Sequence, residues 1–270
     1  MSTPRPSGST AASGCHRSRG VHMSENNAVI VEHRDRVMII TLNRPDAMNA
    51  INGDLSHGLW NAVHELNDDP GLTAGVLTGA GKGFSSGMDL KAFAAGEDIG
   101  PMHKFIQAGA EKPLIAAIEG FAIAGGLELA LSCDLMVAGE SAKFGIREVK
   151  VGLFAAGGGL MRLPARVGYA KAMEMAITGD NITASEALEF GLLSQTTEDG
   201  AALDAAVALA ERIAKNAPLA VAASKKLVKA AAQGYDEAEL WEMQGQLVGK
   251  VFGSNDAKEG PKAFAEKREP

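Results

Sequence analysis

The chain has 270 residues, of which 46% are hydrophobic and 22% are charged, and its formal net charge at pH 7 is −7. These values are typical of a globular protein and exclude a disordered chain. The acidic balance excludes a broad basic surface for nucleic acid, and the apolar runs are too short to cross a bilayer. We therefore expect a globular protein that binds neither nucleic acid nor a membrane.

The cysteines and histidines of the sequence indicate the redox compartment and whether a metal site is expected. The chain has two cysteines, Cys15 and Cys133, of which only Cys133 lies in the body of the sequence. With one cysteine there, an internal disulfide is not expected, and this suits a reducing, cytoplasmic compartment. The six histidines show no metal-ligand spacing along the sequence. The sequence therefore predicts no metal.

The first 22 residues differ in composition from the rest. They contain no acidic residue and are rich in Ser, Gly, Pro and Arg, and they lack the hydrophobic segment of a secretory signal. Their Arg and Ser content weakly resembles that of an organelle transit peptide, but no amphipathic apolar face is present. We predict that residues 1–22 form a disordered extension before an internal start at Met23.

Short buried strands alternate with helices in the first 200 residues, a pattern that predicts an α/β core over residues 23–200 with parallel strand pairing. After Gly200 the periodicity is helical only, which predicts an amphipathic C-terminal helical subdomain over residues 201–270. The predicted elements in chain order are strand 28–43, helix 55–66, strand 74–78, a helix from 88, strand 113–118, helix 124–131, strand 135–138, and helices 201–215, 219–232, 237–251 and 256–267.

Two glycine-rich turns, 84–89 and 124–128, each follow a buried strand and each open a helix. Glycine lets a backbone approach a ligand closely, and the free N–H groups of a helix's first turn favour negative charge. If the two turns converge, they offer two donors to one oxygen, an oxyanion hole. Taken singly, each turn is equally explained by helix capping and tight packing.

Two glutamates follow glycine-containing segments. Glu128 lies in the first turn of the helix that opens at Gly125, and Glu148 follows the segment 144–147. A pair of carboxylates in different environments can divide into a base and an acid, which addition of water to a polarised double bond requires. Alternatively, Glu128 stabilises its helix dipole and Glu148 is a surface residue of a charged stretch.

The order of these segments resembles the enoyl-CoA hydratase, or crotonase, superfamily from about Ala28 to the end of the chain. The resemblance rests on 115–134, which is similar to the family's central signature, and on four further stretches in the family's order. These are Asn43-Arg44-Pro45 with Asn49-Ala50, then 83–90, 142–145, and Glu259-Gly260 with 263–268. It implies a crotonase-like core of stacked ββα units followed by the helical subdomain.

The resemblance also implies roles for individual residues. Backbone N–H groups of Met88 and Gly125 would form the oxyanion hole, and Glu128 and Glu148 would be the catalytic carboxylates. Coenzyme A would enter as part of the substrate, with no separate cofactor. A solvated helix face is an equally good interpretation of Lys91. The implied substrate and coenzyme A contacts are Ser86, Met88, Asp89, Leu90, Lys91, Gly125, Phe264 and Lys267, the last two from the same chain or from a neighbouring subunit.

Two departures from the family's pattern concern water. Hydratases usually have proline before the second glutamate, where this chain has Arg147, and Pro-Gly where it has Ala155-Ala156. In typical hydratases the peptide N–H at the position of Ala156 helps to hold the attacking water. Alanine keeps that N–H but adopts fewer backbone angles than glycine.

The expected activity is reversible hydration of trans-2-enoyl-CoA to 3-hydroxyacyl-CoA. The alternatives are isomerisation of a 3-enoyl-CoA to a 2-enoyl-CoA, and acyl-CoA binding with weak turnover. Within the segment 92–107, Met102, Phe105 and Ile106 line either an acyl tunnel or the core face of a helix. The resemblance further implies a homotrimer or a dimer of trimers held together by the C-terminal helices.

Overall fold

The computed structural model describes residues 20–23 and 27–269. Its strands are β1 (His22–Met23), β2 (Val29–Arg34), β3 (Val37–Leu42), β4 (Ala74–Gly79), β5 (Leu114–Ile118), β6 (Phe121–Ile123), β7 (Leu135–Gly139), β8 (Lys143–Gly145), β9 (Ile182–Thr183) and β10 (Gln195–Thr197). Its α-helices are α1 (Gly53–Asp68), α2 (Leu90–Ala94), α3 (Gly100–Ala108), α4 (Gly125–Leu131), α5 (Gly159–Val167), α6 (Tyr169–Thr178), α7 (Ala184–Glu189), α8 (Ala202–Ala214), α9 (Pro218–Ala232), α10 (Glu237–Phe252) and α11 (Asn255–Ala265).

The larger sheet has the strand order β1-β2-β3-β4-β5-β7-β10. The strands from β3 to β10 pair in parallel, whereas β1, β2 and β3 pair antiparallel. The single strand predicted over 28–43 is instead a hairpin whose two-residue loop joins Arg34 to Val37. Asp35 adopts a φ of 50° in that loop. Aspartate tolerates this left-handed backbone, so the chain turns without a glycine.

A second sheet, β6-β8-β9, lies beside the first. Its strands have two or three residues, too few to show a periodicity, and the sequence analysis did not predict them. The sheet nevertheless positions the site, because β6 leads directly into the second glycine turn and β8 ends three residues before Glu148.

The hydrophobic core lies on both faces of the large sheet. Helices α1 and α3 cover one face, and α8 covers the other through contacts with β3, β4, β5 and β7. Met102, Phe105 and Ile106 are at most 5% exposed on α3. They therefore form the core face of a helix, and Ile106 also lines a cavity between α3 and α9.

The four predicted C-terminal helices correspond to α8–α11. Helix α8 packs against the large sheet, whereas α10 packs on α9 and α11 packs on α10. The extension predicted over 1–22 falls outside the described residues except for 20–22. Of these, His22 belongs to β1 and pairs with Val31 of β2. None of the helices in the described part of the chain is long and apolar enough to span a membrane.

Candidate active site

The two glycine turns meet. A Cβ atom built on Gly87 would lie 2.8 Å from the Gly125 nitrogen, and one built on Gly125 would lie 3.5 Å from the Met88 nitrogen. Gly87 has a φ of +94°, a conformation that glycine adopts without strain. The close approach of the turns therefore requires glycine at position 87 and brings the peptide groups of Met88 and Gly125 together.

Both of these peptide groups keep a free donor. The first turn is held by its neighbours, since Ile51 N–H donates to Gly87 O at 2.8 Å and Asp89 N–H donates to Ile51 O at 3.0 Å. Gly125 is the first residue of α4, where N–H groups have no partner within the helix. Among the described residues, neither the Met88 nor the Gly125 N–H donates a hydrogen bond. The pair can therefore bind one carbonyl oxygen.

Two residues of the family-like stretch at 43–50 hold the first turn in place. The fully buried side chain of Asn49 donates to Ala80 O at 2.8 Å and to Gly83 O at 2.9 Å. The guanidinium of Arg44 pairs with Asp89 at 3.1 Å. The sequence alone assigns neither residue a role, because their partners lie 31 to 45 positions further along the chain.

The predicted substrate contacts at 86–91 differ in whether their side chains are free to contact a ligand. Asp89 caps α2 by accepting from the N–H groups of Lys91 and Ala92, so its carboxylate is already engaged. Ser86 is half-buried, whereas the side chains of Leu90 and Lys91 are exposed beside the hole. Lys91 is thus the charged side chain of this turn that faces solvent.

Glu128 projects from α4 and is 5% exposed. Its Oε1 accepts from the Gly159 N–H at 2.9 Å, and a Cβ built on Gly157 would lie 2.5 Å from its Oε2. Burial raises the pKa of Glu128, and the N–H groups of Gly159 and Gly157 and the charge of Arg162 offset only part of that rise. The glycine segment thus fixes a buried carboxylate.

Glu148 begins a short 3-10 helix, Glu148–Val151, and is half-buried. Its Oε2 is buried and has no hydrogen-bond partner among the described residues. Burial raises the pKa of Glu148, hydrogen bonds from its own N–H and that of Arg147 oppose the rise, and the charge of Glu128 adds to it. The two carboxyl groups therefore lie within electrostatic range of each other.

Arg162 is a charged neighbour that the sequence analysis did not identify. It donates to Ser132 Oγ at 3.2 Å, and that hydroxyl donates to Glu128 O at 2.9 Å. It also donates to Ile106 O. Its charge lowers the pKa of Glu128. A basic residue three positions after a glycine run gave no sequence signal of this contact.

The Ala155-Ala156 departure leaves the backbone unstrained. Neither residue has a positive φ, so this conformation does not require glycine. Ala156 is exposed, and among the described residues its N–H donates no hydrogen bond. The free Ala156 N–H is therefore adjacent in sequence to Gly157, which lies beside Glu128.

Phe264 and Lys267 lie at the other end of the chain. Phe264 is 86% exposed on α11, and Lys267 follows that helix. No hydrogen bond or ion pair between described residues links either one to the glycine turns. Their predicted role at the coenzyme A site stays a prediction, and within one chain these side chains project into solvent.

Comparisons with known proteins identify the family of the chain. The family model described as enoyl-CoA hydratase/isomerase matches residues 32–270. Enoyl-CoA hydratase EchA19 of Mycobacterium tuberculosis is 43% identical, over 89% of this chain and 94% of its own length. The (E)-benzylidenesuccinyl-CoA hydratase of Thauera aromatica is 41% identical, over 90% of this chain and 97% of its own.

A crystal structure of an enoyl-CoA hydratase from Mycobacterium tuberculosis H37Rv superimposes with a TM-score of 0.86 at 52% sequence identity. The match covers 90% of this chain and 97% of that one. The predicted α/β, crotonase-like architecture is thereby confirmed. On its sequence and its fold, the chain belongs to the enoyl-CoA hydratase/isomerase family.

Proposed function

We propose that the protein catalyses the reversible syn hydration of trans-2-enoyl-CoA thioesters to 3-hydroxyacyl-CoA. The observation that supports this most strongly is that two unused peptide N–H groups, at Met88 and Gly125, lie together, and that Glu128, on the helix that begins at Gly125, is within electrostatic range of Glu148. An isomerase needs only one base beside the same hole. A pair of carboxyl groups whose pKa values are both raised suits the handling of both protons of water.

The thioester oxygen would accept from the Met88 and Gly125 N–H groups, which stabilise the enolate that forms when water adds to Cβ. Donors of this kind are worth roughly 3 kcal/mol each in comparable oxyanion holes. Because Asn49 and Arg44 hold the Met88 turn and Gly125 is fixed as the first residue of α4, little reorganisation is needed during the reaction. The reaction needs no cofactor beyond the coenzyme A of the substrate.

Glu128 would take a proton from water as the water oxygen bonds to Cβ, and Glu148 would give a proton to Cα. The product gains one water in total, and the proton returns from Glu128 to Glu148 before the next turnover. Two hydrogen-bonding N–H groups favour the ionised form of Glu128, as a base requires. The partnerless Oε2 of Glu148 favours a protonated acid. The free Ala156 N–H can orient the attacking water.

A cavity beside the segment 156–161 has space for the acyl chain. A cavity of about 990 Å³ is lined by Ala156, Gly157 and Met161 on one side and by residues of α3 and α9 on the other. Gly157 faces Glu128 as well, so the cavity adjoins the reacting carbons. We propose that it accommodates the acyl tail.

Glutamine substitutions test the mechanism. Glu128→Gln and Glu148→Gln should each lower kcat by roughly 10²–10⁴-fold, while the affinity for a non-reacting acyl-CoA changes little. Hydration of crotonyl-CoA and of longer enoyl-CoA substrates is followed by loss of the conjugated thioester absorbance. The exposed Glu174→Gln on α6 is the matched control and should retain the parental rate.

Near-normal rates in both site variants would refute the hydratase mechanism. A 3-enoyl-CoA supplied to the parent protein separates the alternatives, since appearance of the conjugated thioester without hydration identifies an isomerase. Tight acyl-CoA binding by calorimetry with neither reaction identifies a binding protein.

A further inference from the structure

Two histidines and a glutamate from three elements meet at the N-terminal edge of the large sheet, away from the oxyanion hole. His22 lies in β1, His33 in β2, and Glu65 in the last turn of α1. His22 is opposite Val31 in the antiparallel pair, and His33 is two residues beyond Val31, so both histidines lie on the same face of the sheet. Their ring centroids are 6.1 Å apart.

Their possible ligand atoms converge. His33 Nε2 lies 2.9 Å from Glu65 Oε1, and His22 Nε2 lies 3.1 Å from Glu65 Oε2. One ligand atom from each of the three residues falls within 4.8 Å of the others. Ligands of a tetrahedral zinc ion at about 2.0–2.1 Å from the metal are about 3.4 Å from one another. The contacts of 2.9 and 3.1 Å are slightly shorter than this, so an ion would bind after a small outward shift of the three side chains.

The state of His33 points to a ligand. This side chain is 8% exposed, and among the described residues neither of its ring nitrogens has a hydrogen-bond partner. Its Nε2 lies 2.9 Å from Glu65 Oε1, but the two groups are not aligned for a hydrogen bond. Buried polar groups are nearly always satisfied. An imidazole nitrogen with no hydrogen-bond partner beside a carboxylate suits a cation that binds both groups.

We propose that His22, His33 and Glu65 bind one divalent transition-metal ion, with Zn²⁺ fitting their chemistry best. Two imidazoles and a carboxylate are common zinc ligands, and the fourth position would be filled by water. A cavity of about 310 Å³ lined by His22 and Glu65 adjoins the cluster and has room for that water. Sequence spacing did not predict the site because the ligands become neighbours only through the sheet register and the packing of α1.

The ion would have a structural role. It would attach the two-residue strand β1 to β2 and α1, adding bonds where the backbone pairing is short. Glu65 lies twelve residues along α1 from Gly53, about 18 Å from the end of the helix that is near the Met88 turn. Occupancy should therefore change the stability of the N-terminal edge and leave turnover unaffected.

The full-length protein, stripped with a chelator, tests this by calorimetric titration with Zn²⁺ alone. We expect one ion per chain, and Co²⁺ in its place should give the visible d–d bands of a tetrahedral site. His22→Gln, Glu65→Gln and His33→Gln should each weaken binding by at least about 10-fold. Zn²⁺ at about 100 times its Kd should raise the Tm of the parent by roughly 5 °C or more.

His64→Gln is the matched control, because His64 is an exposed histidine next to Glu65 on the same helix and should leave Zn²⁺ binding intact. His22→Gln keeps the test decisive if the buried His33 variant fails to fold, since His22 is an exposed side chain. The absence of Zn²⁺ binding to the parent would overturn the proposal and leave the cluster as direct contacts of the two histidines with Glu65. Equal affinity in His22→Gln, Glu65→Gln and the parent would overturn it as well.

Discussion

Glu128 and Glu148 are chemically identical side chains in different surroundings. The Glu128 carboxylate accepts hydrogen bonds from N–H groups of a glycine segment, whereas the Glu148 carboxylate has a buried oxygen without a hydrogen-bond partner among the described residues. Both pKa values are raised by burial, and the charge of Glu128 raises that of Glu148 further. This difference in surroundings is the physical basis for assigning one residue as base and the other as acid.

Removing the charge of Arg162 should change the pH dependence of the reaction. That charge lowers the pKa of Glu128, so Arg162→Gln raises this pKa and leaves less of the base ionised at a given pH. The acidic limb of the kcat/KM profile should therefore shift to higher pH. Arg162→Lys should restore part of the parental profile. Steady-state kinetics on an enoyl-CoA over a range of pH measures the shift.

Arg166→Gln is the matched control for this experiment. Arg166 lies one turn further along α5 and donates to the backbone oxygens of Cys133 and Asp134, a similar structural role. It is not among the groups that shift the pKa of Glu128. An unchanged profile in Arg162→Gln, or an equal shift in Arg166→Gln, would show that Arg162 acts only through packing.

Glu148→Gln should stabilise the folded protein at neutral pH while it removes activity. A carboxyl group whose pKa is raised on folding contributes stability below its unfolded pKa and loses it as the pH rises through the folded pKa. The neutral amide avoids this loss, by roughly 1 kcal/mol for a partly buried group. Urea denaturation should show the gain at pH 7 and its disappearance at acidic pH. A lower stability at both pH values would contradict the expectation.

At the residue scale, the sequence predicted the groups with a local signature and missed those defined by distant contacts. Glu128 and Gly125 were predicted because a glycine turn opens a helix there. Arg44, Asn49 and Arg162 were not assigned roles, because each acts on a partner far along the chain. Burial and hydrogen-bond partners, which decide such roles, are not visible in a single sequence.

At the scale of elements, the oxyanion hole depends on how closely two turns approach. Gly87→Ala should therefore reduce turnover sharply, because the new methyl group would lie 2.8 Å from the Gly125 nitrogen and displace the turns. We expect a loss of about 100-fold or more in kcat/KM, similar to removal of one oxyanion donor. Circular dichroism should show that the fold is retained.

Gly96→Ala separates this steric effect from backbone strain. Gly96 also has a positive φ, +72°, but a Cβ atom there would meet nothing within 4 Å. It should cost a little stability and leave kcat/KM nearly unchanged. Equal losses of activity in the two variants would attribute the effect to strain alone.

Long periodic elements were predicted well, and short ones were not. The helices at 55–66 and 201–267 appear as α1 and α8–α11, since their apolar spacing extends over several turns. The hairpin at Asp35 and the sheet β6-β8-β9 were missed, because a turn without glycine and strands of two or three residues leave no periodic pattern. Strands β6 and β8 position the site, so its arrangement could be determined only from the three-dimensional structure.

At the scale of the whole molecule, α10 presents an apolar stripe to solvent. Trp241, Val248 and Phe252 recur at helical spacing and are 62%, 43% and 73% exposed. Exposed apolar stripes of this kind commonly mark an interface. We propose that they contribute to a homotrimer or a dimer of trimers, consistent with a coenzyme A site completed by Phe264 and Lys267 of a neighbouring copy.

Light scattering after gel filtration tests this assembly. The parent should elute with the mass of three or six chains, and Phe252→Lys should lower that mass and raise the KM for acyl-CoA. Gln246→Lys adds the same charge on the opposite side of α10 and should keep both values. A monomeric parent would contradict the assembly and the predicted contribution of Lys267.

The donors at Met88 and Gly125 belong to the main chain, and this affects how the protein can diversify. Replacing the methionine side chain leaves its amide in place, so drift at that position can reshape the entrance without deleting an essential group. On the proposed mechanism, the carbonyl-binding groups are therefore partly insulated from point mutation, whereas the side chains around them are not. A change of acyl-CoA substrate would then require different side chains at the pocket but no new oxyanion hole.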